Sequence, residues 1–298
     1  MEIRNFKQLM NKAMEKDSKT ISVISPEDLE SLEVVAKAEE LQIANFILVG
    51  DSAKINNIIK ENNLIIKAEI IDEKNHKNAA DLAVDLVSKG RAATVMKGML
   101  HTSVFLKAVL NKEKTLNVGK HITQISIIEK DNNEGLMFIT DCAITVSPDL
   151  MGKKEVLENA VELAHRLGIE KPRVAILTSL EVVNPSMQDT IDAAVLSKMS
   201  DRGQIKGCIV DGPFAFDNAV SIDAAKAKGI SSPVAGNADI IVVPNLTVGN
   251  ALTKSISYIA KKTVAAAIVG TSVPIIMTSR TDNMENKLLS IAMAVYNG

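Results

Sequence analysis

The sequence predicts an α/β protein of two lobes, in which mainly parallel sheets are flanked by helices. Short runs rich in valine and isoleucine alternate with longer segments of helical periodicity, and this alternation is typical of parallel strands covered by helices on both faces. The chain has 298 residues, of which 46% are hydrophobic, so it is long for one domain and can bury two cores. No long linker is visible, and we therefore expect the lobes to enclose a cleft, where small-molecule sites are common.

Several segments have the composition of buried strands. They are residues 20–25, 45–50, 92–97, 173–178, 207–210, 239–243 and 273–278. Two helix starts show a capping residue followed by proline, namely Ser25 before Pro26 and Asn184 before Pro185. Proline is favoured at the first helical position, so we expect helices to begin at these two prolines.

The pattern changes between about residues 120 and 138, where two strand-like stretches flank the polar cluster Lys130-Asp-Asn-Asn-Glu-Gly135. This arrangement predicts an antiparallel hairpin. After it, Ser147-Pro148-Asp149 opens a predicted helix that runs from about Lys153 to Leu167. A new series of βα units follows, and the first domain boundary is therefore placed near residue 145.

Charge and composition exclude several classes of function. Lysine and arginine number 34 against 36 aspartates and glutamates, so no large net field attracts nucleic acid or anionic lipid. Cys142 and Cys208 lack the spacing of a structural metal site. The first 19 residues carry charges throughout, and no stretch reaches the roughly 18 to 20 apolar residues of a membrane span. We expect a cytoplasmic protein with no metal, no nucleic-acid partner and no membrane association.

Polar residues follow several of the predicted strands directly. Ligands of open parallel sheets bind beyond the carboxyl ends of the strands, which makes Lys97, Asp211, Asn245 and Thr278 candidate ligand-binding residues.

The segment Thr278-Ser279-Arg280 also precedes a helix that is predicted to start near Asp282. Exposed helix amides, the helix dipole and a forked guanidinium all favour a bound anion, so Ser279 and Arg280 are candidates for a phosphate site. The alternative is that Thr278, Ser279 and Asp282 cap the helix while the arginine is solvated.

A second segment places Asn245 at a strand end and Gly249, Asn250 and Lys254 along the next helix. A glycine at such a position lets a ligand or a neighbouring backbone approach closely. The alternative is that Asn245 caps the helix, Gly249 packs against the sheet and Lys254 is surface charge, since this punctuation occurs in any α/β fold.

Five segments in order resemble the phosphate acetyl/butyryltransferase family, and its butyryl branch more closely than its acetyl branch. They are Lys97-Gly-Met-Leu-His-Thr102, Thr140-Asp-Cys-Ala143, Asp211-Gly-Pro213 with Phe216-Asp217, Ala238-Asp-Ile-Ile-Val-Val-Pro-Asn245 with Gly249-Asn250, and Gly270-Thr-Ser-Val-Pro-Ile-Ile-Met-Thr-Ser-Arg-Thr-Asp282. The resemblance implies transfer of a short acyl group, butyryl or similar, between coenzyme A and inorganic phosphate. The expected partners are acyl-CoA, CoA, phosphate and acyl phosphate, and a phosphate acetyltransferase is the alternative within the family.

The resemblance also implies the two-lobed fold of the isocitrate/isopropylmalate dehydrogenase group, with the active-site cleft between the lobes. In that fold the last strand and helix return to the first lobe. The expected domains are therefore a discontinuous first domain, 1–145 with 270–298, and a second domain, 146–269. A homo-oligomer built from dimers is expected on the same ground.

The family reaction joins two activated acyl compounds, so the resemblance implies that no metal and no cofactor is required and that coenzyme A is a substrate. Positioning and charge neutralisation are the main requirements. By resemblance, Arg280 lies near the phosphate and Ser279 near the reacting carbonyl. Asn286 stands where the acetyl branch has an aspartate base. Glu285 or Asp211 is left as the candidate base, or nearby positive charge stabilises the thiolate.

Further residues fall within the resembling segments. Lys97 is expected to bind a substrate phosphate or the coenzyme pyrophosphate. His101, which Thr102 follows, is expected to bond the thioester carbonyl, and the alternative is a helix-start histidine satisfied by backbone. Asp141 is a candidate substrate-binding residue, with a turn-capping role as the alternative.

Two other classes of function are left as alternatives. One is a metal- and NAD-dependent decarboxylating dehydrogenase of related fold, and against it no GxGxxG motif follows the first strands. The other is a catalytically silent coenzyme-A-binding protein, and the presence of both Ser279 and Arg280 argues against it.

Overall fold

The computed structural model describes residues 1–16, 18–131, 135–279 and 281–298. Its contacts divide the chain into two compact units, each assembled from two segments. We call Phe6–Lys120 with Ala265–Gly298 the amino-terminal unit, and Met1–Asn5 with His121–Val264 the central unit. Parallel pairing of strands and flanking helices occur in both units, so the predicted α/β class is confirmed.

The elements are numbered in chain order. The strands are β1 (Lys19–Ile24), β2 (Ala44–Gly50), β3 (Glu69–Asp72), β4 (Thr94–Lys97), β5 (Thr123–Glu129), β6 (Leu136–Thr140), β7 (Arg173–Leu177), β8 (Ile209–Phe214), β9 (Ile240–Val242) and β10 (Ala265–Val269). The helices are α1 (Phe6–Met14), α2 (Leu29–Glu40), α3 (Ser52–Glu61), α4 (His76–Ser88), α5 (Thr102–Val109), α6 (Leu150–Arg166), α7 (Gln188–Asp201), α8 (Phe216–Val220), α9 (Ile222–Ala227), α10 (Leu246–Lys254) and α11 (Met284–Asn297). A π-helical turn, Ser255–Ile259, follows α10.

The amino-terminal unit contains a parallel sheet in the order β3-β2-β1-β4. The predicted strand 273–278 is reduced to a short pairing with β4. The Ile276 N–H donates to the Val95 carbonyl at 2.9 Å, and the Lys97 N–H donates to the Ile276 carbonyl at 2.9 Å. Because this pairing is parallel, the carboxyl ends of β4 and of the segment through Ile276 lie side by side. This places Lys97 next to the residues that follow Ile276.

The central unit contains strands in the order β5-β6-β9-β7-β8. The β5–β6 pair is antiparallel, so the predicted hairpin is confirmed, and the remaining pairs are parallel. β6 pairs with β9 through Phe138 and Ile240, which joins the hairpin to the sheet that holds β7. The compact units therefore divide at residue 120 and not near 145, and the later boundary lies at 264 and not at 269.

Two helices begin later than predicted. α2 begins after Asp28, whose carboxylate accepts the N–H of Ser31 at 2.8 Å and its hydroxyl at 2.7 Å, and this is a side-chain cap. α7 begins after Met187, because the Thr190 hydroxyl donates to the Asn184 carbonyl at 3.0 Å and accepts the Asn184 N–H at 2.9 Å. The two prolines that suggested earlier starts therefore lie in the connections that precede the helices.

A buried ion network joins the starts of β7 and β9 in the central unit. Asp239 is 8% exposed, and its two oxygens accept from Arg173 Nε, Arg173 Nη2 and the Arg173 N–H, each at 2.9 Å. Lys130 Nζ donates to the same carboxylate at 2.6 Å. Burial alone raises the pKa of Asp239, but the hydrogen bonds from Arg173 and Lys130 and the Lys130 charge outweigh it, so the pKa lies below its ordinary value.

We expect the Asp239→Asn variant to lose about 3 kcal/mol of unfolding free energy at neutral pH, because two cations lose their buried counter-ion. Since the folded pKa is depressed, the aspartate stabilises fully above the unfolded value of about 3.9, and this contribution is lost as the pH falls through the folded value. Denaturant unfolding from neutral pH to about pH 3 should show the gap between wild type and variant shrinking. The exposed pair of Lys198 and Asp201 gives the control, and an Asp239→Asn variant as stable as Asp201→Asn would contradict this role.

Candidate active site

A pocket of about 380 Å³ lies in the amino-terminal unit at the adjacent ends of β4 and the 275–276 segment. It is lined by Asp28, Leu29, Glu30, Ser31, Met96, Lys97, Gly98, Met99, Thr278, Ser279 and Lys287. Three of the residues predicted from strand ends, Lys97, Thr278 and Ser279, are therefore brought together. This convergence follows from the parallel pairing of Met96 with Ile276, since parallel strands end at the same edge of a sheet.

Gly98 holds the β4 end against the end of β1. The Gly98 N–H donates to the Ile24 carbonyl at 2.9 Å, and the Met99 N–H donates to the Ser25 carbonyl at 2.7 Å. A Cβ on Gly98 would lie 2.5 Å from the Ile24 oxygen and 2.6 Å from the Ser25 oxygen. Only glycine fits this contact, so the shape of the pocket wall depends on it. Lys97 itself is half-buried, and its Nζ donates to the Gly98 carbonyl at 3.2 Å.

Ser279 is exposed at the pocket and lies in a turn that precedes α11. Its N–H donates to Asp282 Oδ2 at 2.7 Å, the Asp282 N–H donates to the Ser279 carbonyl at 3.2 Å, and its hydroxyl bonds the Thr281 hydroxyl at 3.0 Å. Asn283 caps the helix by accepting the Asn286 N–H at 2.8 Å. The predicted helix start near residue 282 is confirmed, and the bonds of the Ser279 hydroxyl to Thr281 lie within the turn.

The remaining residues expected at this end of the chain are placed differently. Arg280 lies outside the described residues. Glu285 is exposed in the first turn of α11 and is not among the residues that line the pocket. Asn286, at the position of the expected base, is 4% exposed and is not a pocket-lining residue. The position that the resemblance assigned to a base on α11 is therefore held by a buried asparagine.

His101 and Thr102 begin α5. His101 is the capping residue of this helix, but its side chain makes no capping hydrogen bond. Both residues are exposed, and neither lines the pocket at Lys97. Their role in substrate binding stays a prediction.

Lys287 and Glu30 are among the pocket residues that the sequence did not predict. Lys287 is 7% exposed, and its Nζ donates to Glu30 Oε2 at 2.9 Å. A lysine directly before the apolar run Leu288–Val295 was the available signal, because a charge on the buried face of a helix needs a partner. That partner lies 257 residues earlier, which no local pattern reveals.

Asp141 organises the loop after β6 in the central unit. It is 3% exposed, and its carboxylate accepts the N–H groups of Ala143 at 2.9 Å, Ile144 at 3.0 Å and Thr145 at 3.0 Å. Three backbone donors occupy the carboxylate, so the structure supports the turn-capping alternative for this residue.

α10 packs directly on this Asp141 loop. Asn245 caps the helix by accepting the Val248 N–H at 3.1 Å. Gly249 is buried, and a Cβ there would lie 2.3 Å from the Asp141 carbonyl oxygen. Asn250 Nδ2 donates to the Cys142 carbonyl at 3.4 Å. Gly249 was expected to let a ligand or a neighbouring backbone approach closely. The structure shows the backbone of Asp141 in this place, so the glycine lets the loop pack against α10.

Lys254 and Asp211 do not take part in the contacts between α10 and the Asp141 loop that are described above. Lys254 is exposed at the end of α10, with its Nζ 5.7 Å from the centre of the Tyr258 ring. The predicted strand end at Val210 is wrong, because β8 continues to Phe214. Asp211 lies inside the strand, where its Oδ1 accepts the Ser197 hydroxyl at 3.2 Å and the Gly212 N–H at 2.8 Å.

A second pocket, of about 800 Å³, lies in the central unit beyond the carboxyl ends of β7 and β9. It is lined by Ser147, Pro148, Asp149, Leu150, Lys153, Leu177, Thr178, Ser179, Gln188, Asp189, Asp192, Pro244, Asn245 and Val248. The buried pair of Lys153 and Asp192, 2.6 Å apart, is part of its wall. Of the predicted site residues described in the central unit, Asn245 is the one that lines it.

The described ranges contain no group of three or more histidine, cysteine, aspartate or glutamate side chains that could hold a metal ion. The helices of the same ranges include none that is both long enough and apolar enough to cross a bilayer.

Comparison with known proteins gives the class of the enzyme. A family model described as phosphate acetyl/butaryl transferase matches residues 65–295, and the chain therefore belongs to this family of acyltransferases. It is 45% identical to the phosphate butyryltransferase of Clostridium beijerinckii over 98% of this chain and 97% of the relative. It is 41% identical to the phosphate acetyltransferase of Rickettsia felis over 93% of this chain and 80% of the relative.

Solved structures agree with this class. A branched-chain phosphotransacylase from Enterococcus faecalis V583 superposes with a TM-score of 0.83 at 32% identity, covering 94% of this chain and 98% of that chain. The 4-hydroxythreonine-4-phosphate dehydrogenase of Klebsiella pneumoniae matches with a TM-score of 0.50 at 13% identity, covering 94% of this chain and 100% of that chain. The second likeness shows the fold alone, and it agrees with the predicted dehydrogenase-like architecture.

Proposed function

We propose that the chain transfers a short acyl group, butyryl or similar, between coenzyme A and inorganic phosphate. The observation that carries the proposal is the pocket in which Lys97, Thr278 and Ser279 meet, in a chain that belongs to an acyltransferase family. A cation beside hydroxyl donors at a strand end suits a reaction in which a phosphate oxygen and a carbonyl oxygen carry the charge.

In the proposed step, a phosphate oxygen attacks the carbonyl carbon of the thioester. A C–O bond forms, the C–S bond breaks, and the sulfur leaves as a thiolate that takes up a proton. Lys97 and Arg280 would neutralise the phosphate, while the Ser279 hydroxyl would donate to the carbonyl oxygen as it gains negative charge. The reverse reaction uses the same contacts with the thiolate as nucleophile.

A covalent route through cysteine does not suit this chain. Cys142 and Cys208 are both buried. Burial raises the pKa of the Cys142 thiol, and it raises that of Cys208 to about 11, so both are protonated at neutral pH. A thiol is a poor nucleophile in comparison with a thiolate. The buried, protonated thiols therefore favour direct attack by phosphate over a route through an acyl-cysteine intermediate.

The finer parts of the proposal follow from the resemblance. The substrates are acyl-CoA, CoA, phosphate and acyl phosphate, and the reaction requires no metal and no cofactor. His101, Thr102, Asn245, Asn250 and Lys254 are proposed to contact substrate, and Glu285 or Asp211 to act as base. We further propose that the enzyme acts in the cytoplasm as a homo-oligomer built from dimers.

The direct test uses purified protein with butyryl-CoA and phosphate. We expect release of the free thiol and formation of butyryl phosphate in equal amounts, with the rate unchanged by a chelator. Release of thiol with no acyl phosphate would indicate simple thioester hydrolysis and would refute the proposal. Activity that appears only with NAD and a divalent ion, on a hydroxy acid, would establish the dehydrogenase alternative.

A homologous series of acyl-CoA substrates separates the butyryl from the acetyl assignment. Each buried methylene contributes about 0.8 kcal/mol, so butyryl-CoA should exceed acetyl-CoA roughly fifteenfold in kcat/KM. Met96 and Met99 in the pocket wall provide flexible apolar surface for the longer chain. The series acetyl, propionyl, butyryl and valeryl should rise and then level off. A steady fall from acetyl to butyryl would favour the phosphate acetyltransferase alternative, which relatives such as that of Rickettsia felis support.

A further inference from the structure

The pocket of the amino-terminal unit contains a buried lysine that neither the strand-end pattern nor the family resemblance assigned. Lys287 lies one turn into α11, with its side chain 8% exposed, and it lines the pocket together with Lys97, Thr278 and Ser279. An ammonium group taken out of water is costly unless an anion accompanies it. Because Lys287 lies among candidate phosphate-binding residues, its accompanying anion could be either a side chain or a bound phosphate.

The counter-ion of Lys287 in the structure is the exposed carboxylate of Glu30. Glu30 Oε2 accepts from Lys287 Nζ at 2.9 Å, yet the Glu30 side chain is 62% exposed. The hydrogen bond and charge of Lys287 lower the pKa of Glu30, so the carboxylate is ionised at neutral pH. The Glu30 carboxylate itself is easily hydrated when it turns into water, because its side chain is already 62% exposed. The buried ammonium of Lys287 would then need another anion in its place.

The other acidic group of the pocket is already committed. Asp28 caps α2 through hydrogen bonds to the N–H and hydroxyl of Ser31. Glu30 is therefore the acidic side chain of the pocket lining that competes with an anionic ligand for the lysine. If Glu30 swings out, Lys97 and Lys287 leave two cationic groups facing the same cavity.

We propose that Lys287 is a phosphate-binding residue and that Glu30 is its exchangeable counter-ion, displaced when the phosphate of the substrate enters the pocket. The inference rests on the proposed acyl transfer. It adds Lys287 as a binding residue, for which Glu30 and the substrate phosphate compete. In the absence of phosphate, Glu30 neutralises the buried ammonium. In its presence, a phosphate oxygen takes the place of the carboxylate, and Lys97 and Lys287 both contribute positive charge to the phosphate.

This arrangement predicts opposite effects for the two members of one ion pair. Lys287→Met should raise the KM for phosphate roughly tenfold to a hundredfold, since a charge-assisted hydrogen bond is lost. Glu30→Gln should lower the same KM roughly twofold to fivefold, because the competing carboxylate is gone. Lys287→Arg keeps the charge and should retain much of the affinity. A purely structural ion pair would instead leave the KM for phosphate at the wild-type value in all of these variants.

Binding is measured separately from turnover by thermal melting with inorganic phosphate alone and with coenzyme A alone. We expect phosphate to raise the melting temperature of wild type and more strongly that of Glu30→Gln, and to have little effect on Lys287→Met. The surface variant Lys198→Met, from the exposed pair with Asp201, should respond as wild type does.

The outcomes are distinguishable. Phosphate protection of Lys287→Met equal to that of wild type would overturn the inference, and the transferase assignment would stand. The inference would also be overturned if Lys287→Met were protected fully by phosphate but no longer by coenzyme A, because the lysine would then bind the coenzyme. Phosphate protection that depends on Lys287 in a protein without transfer activity would support the site and refute the function.

Discussion

The Gly98→Ala variant is expected to lose about 3 kcal/mol of stability, since overpacking against backbone cannot be relieved by a side-chain rotation. The added methyl carbon would lie 2.5 Å from the Ile24 oxygen and 2.6 Å from the Ser25 oxygen. The strand ends must separate, and the hydrogen bonds that Gly98 and Met99 donate to these carbonyls would lengthen. Because Lys97 is adjacent, turnover should fall together with stability.

Thermal melting and steady-state kinetics on the same preparation measure both effects. Gly90→Ala is the matched control in the same unit, because a Cβ there meets nothing within 4 Å although its φ is +72°. The control should show a small stability loss from the left-handed backbone and unchanged kinetics. Equal melting temperatures for Gly98→Ala and Gly90→Ala would show that the close contact at β4 does not constrain the pocket.

Replacement of Arg280 by lysine is expected to reduce the transfer rate about a hundredfold, which corresponds to about 3 kcal/mol. Arg280 follows Ser279 directly in the segment that carries the family resemblance. A guanidinium can make two parallel contacts to a phosphate, whereas an ammonium is a point charge, so the substitution is not conservative.

The defect of Arg280→Lys should appear with phosphate and with acyl phosphate as substrates, while the affinity for coenzyme A changes less. Circular dichroism and thermal melting of the variant exclude loss of fold as the cause. A folded Arg280→Ala variant with normal turnover and an unchanged KM for phosphate would return this residue to the solvated role that the sequence left as its alternative.

Candidate residues at strand ends were predictable where the local pattern was unambiguous. Lys97 and Thr278 follow apolar runs that do form parallel pairings, and they meet in one pocket. The same reasoning placed Asp211 at a strand end, which was wrong. The apolar run ends before Asp211, but β8 continues through Gly212 and Pro213 to Phe214. Pairing with β7 decided the length of that strand, and pairing is not written in a strand's own composition.

Roles were less predictable than positions. Asp141 and Gly249 were candidate substrate-binding residues, yet the carboxylate of Asp141 accepts three backbone amides and Gly249 makes room for the Asp141 carbonyl. Both features depend on how α10 meets the loop after β6, and those segments are about a hundred residues apart in the chain. A polar residue at a strand end can serve the fold or a ligand, and only its partners distinguish the two.

The sequence by itself determined the α/β class, most of the strands, the β5–β6 hairpin and the start of α11 near residue 282, because these depend on periodicity and on contacts between near neighbours. Tertiary structure decided the length of β8, the division of the chain at residue 120 and the pairing of Lys287 with Glu30 across 257 positions. The physical reason is range: caps and alternation act over a few residues, whereas burial of a charge and closure of a sheet join segments that chain order leaves far apart.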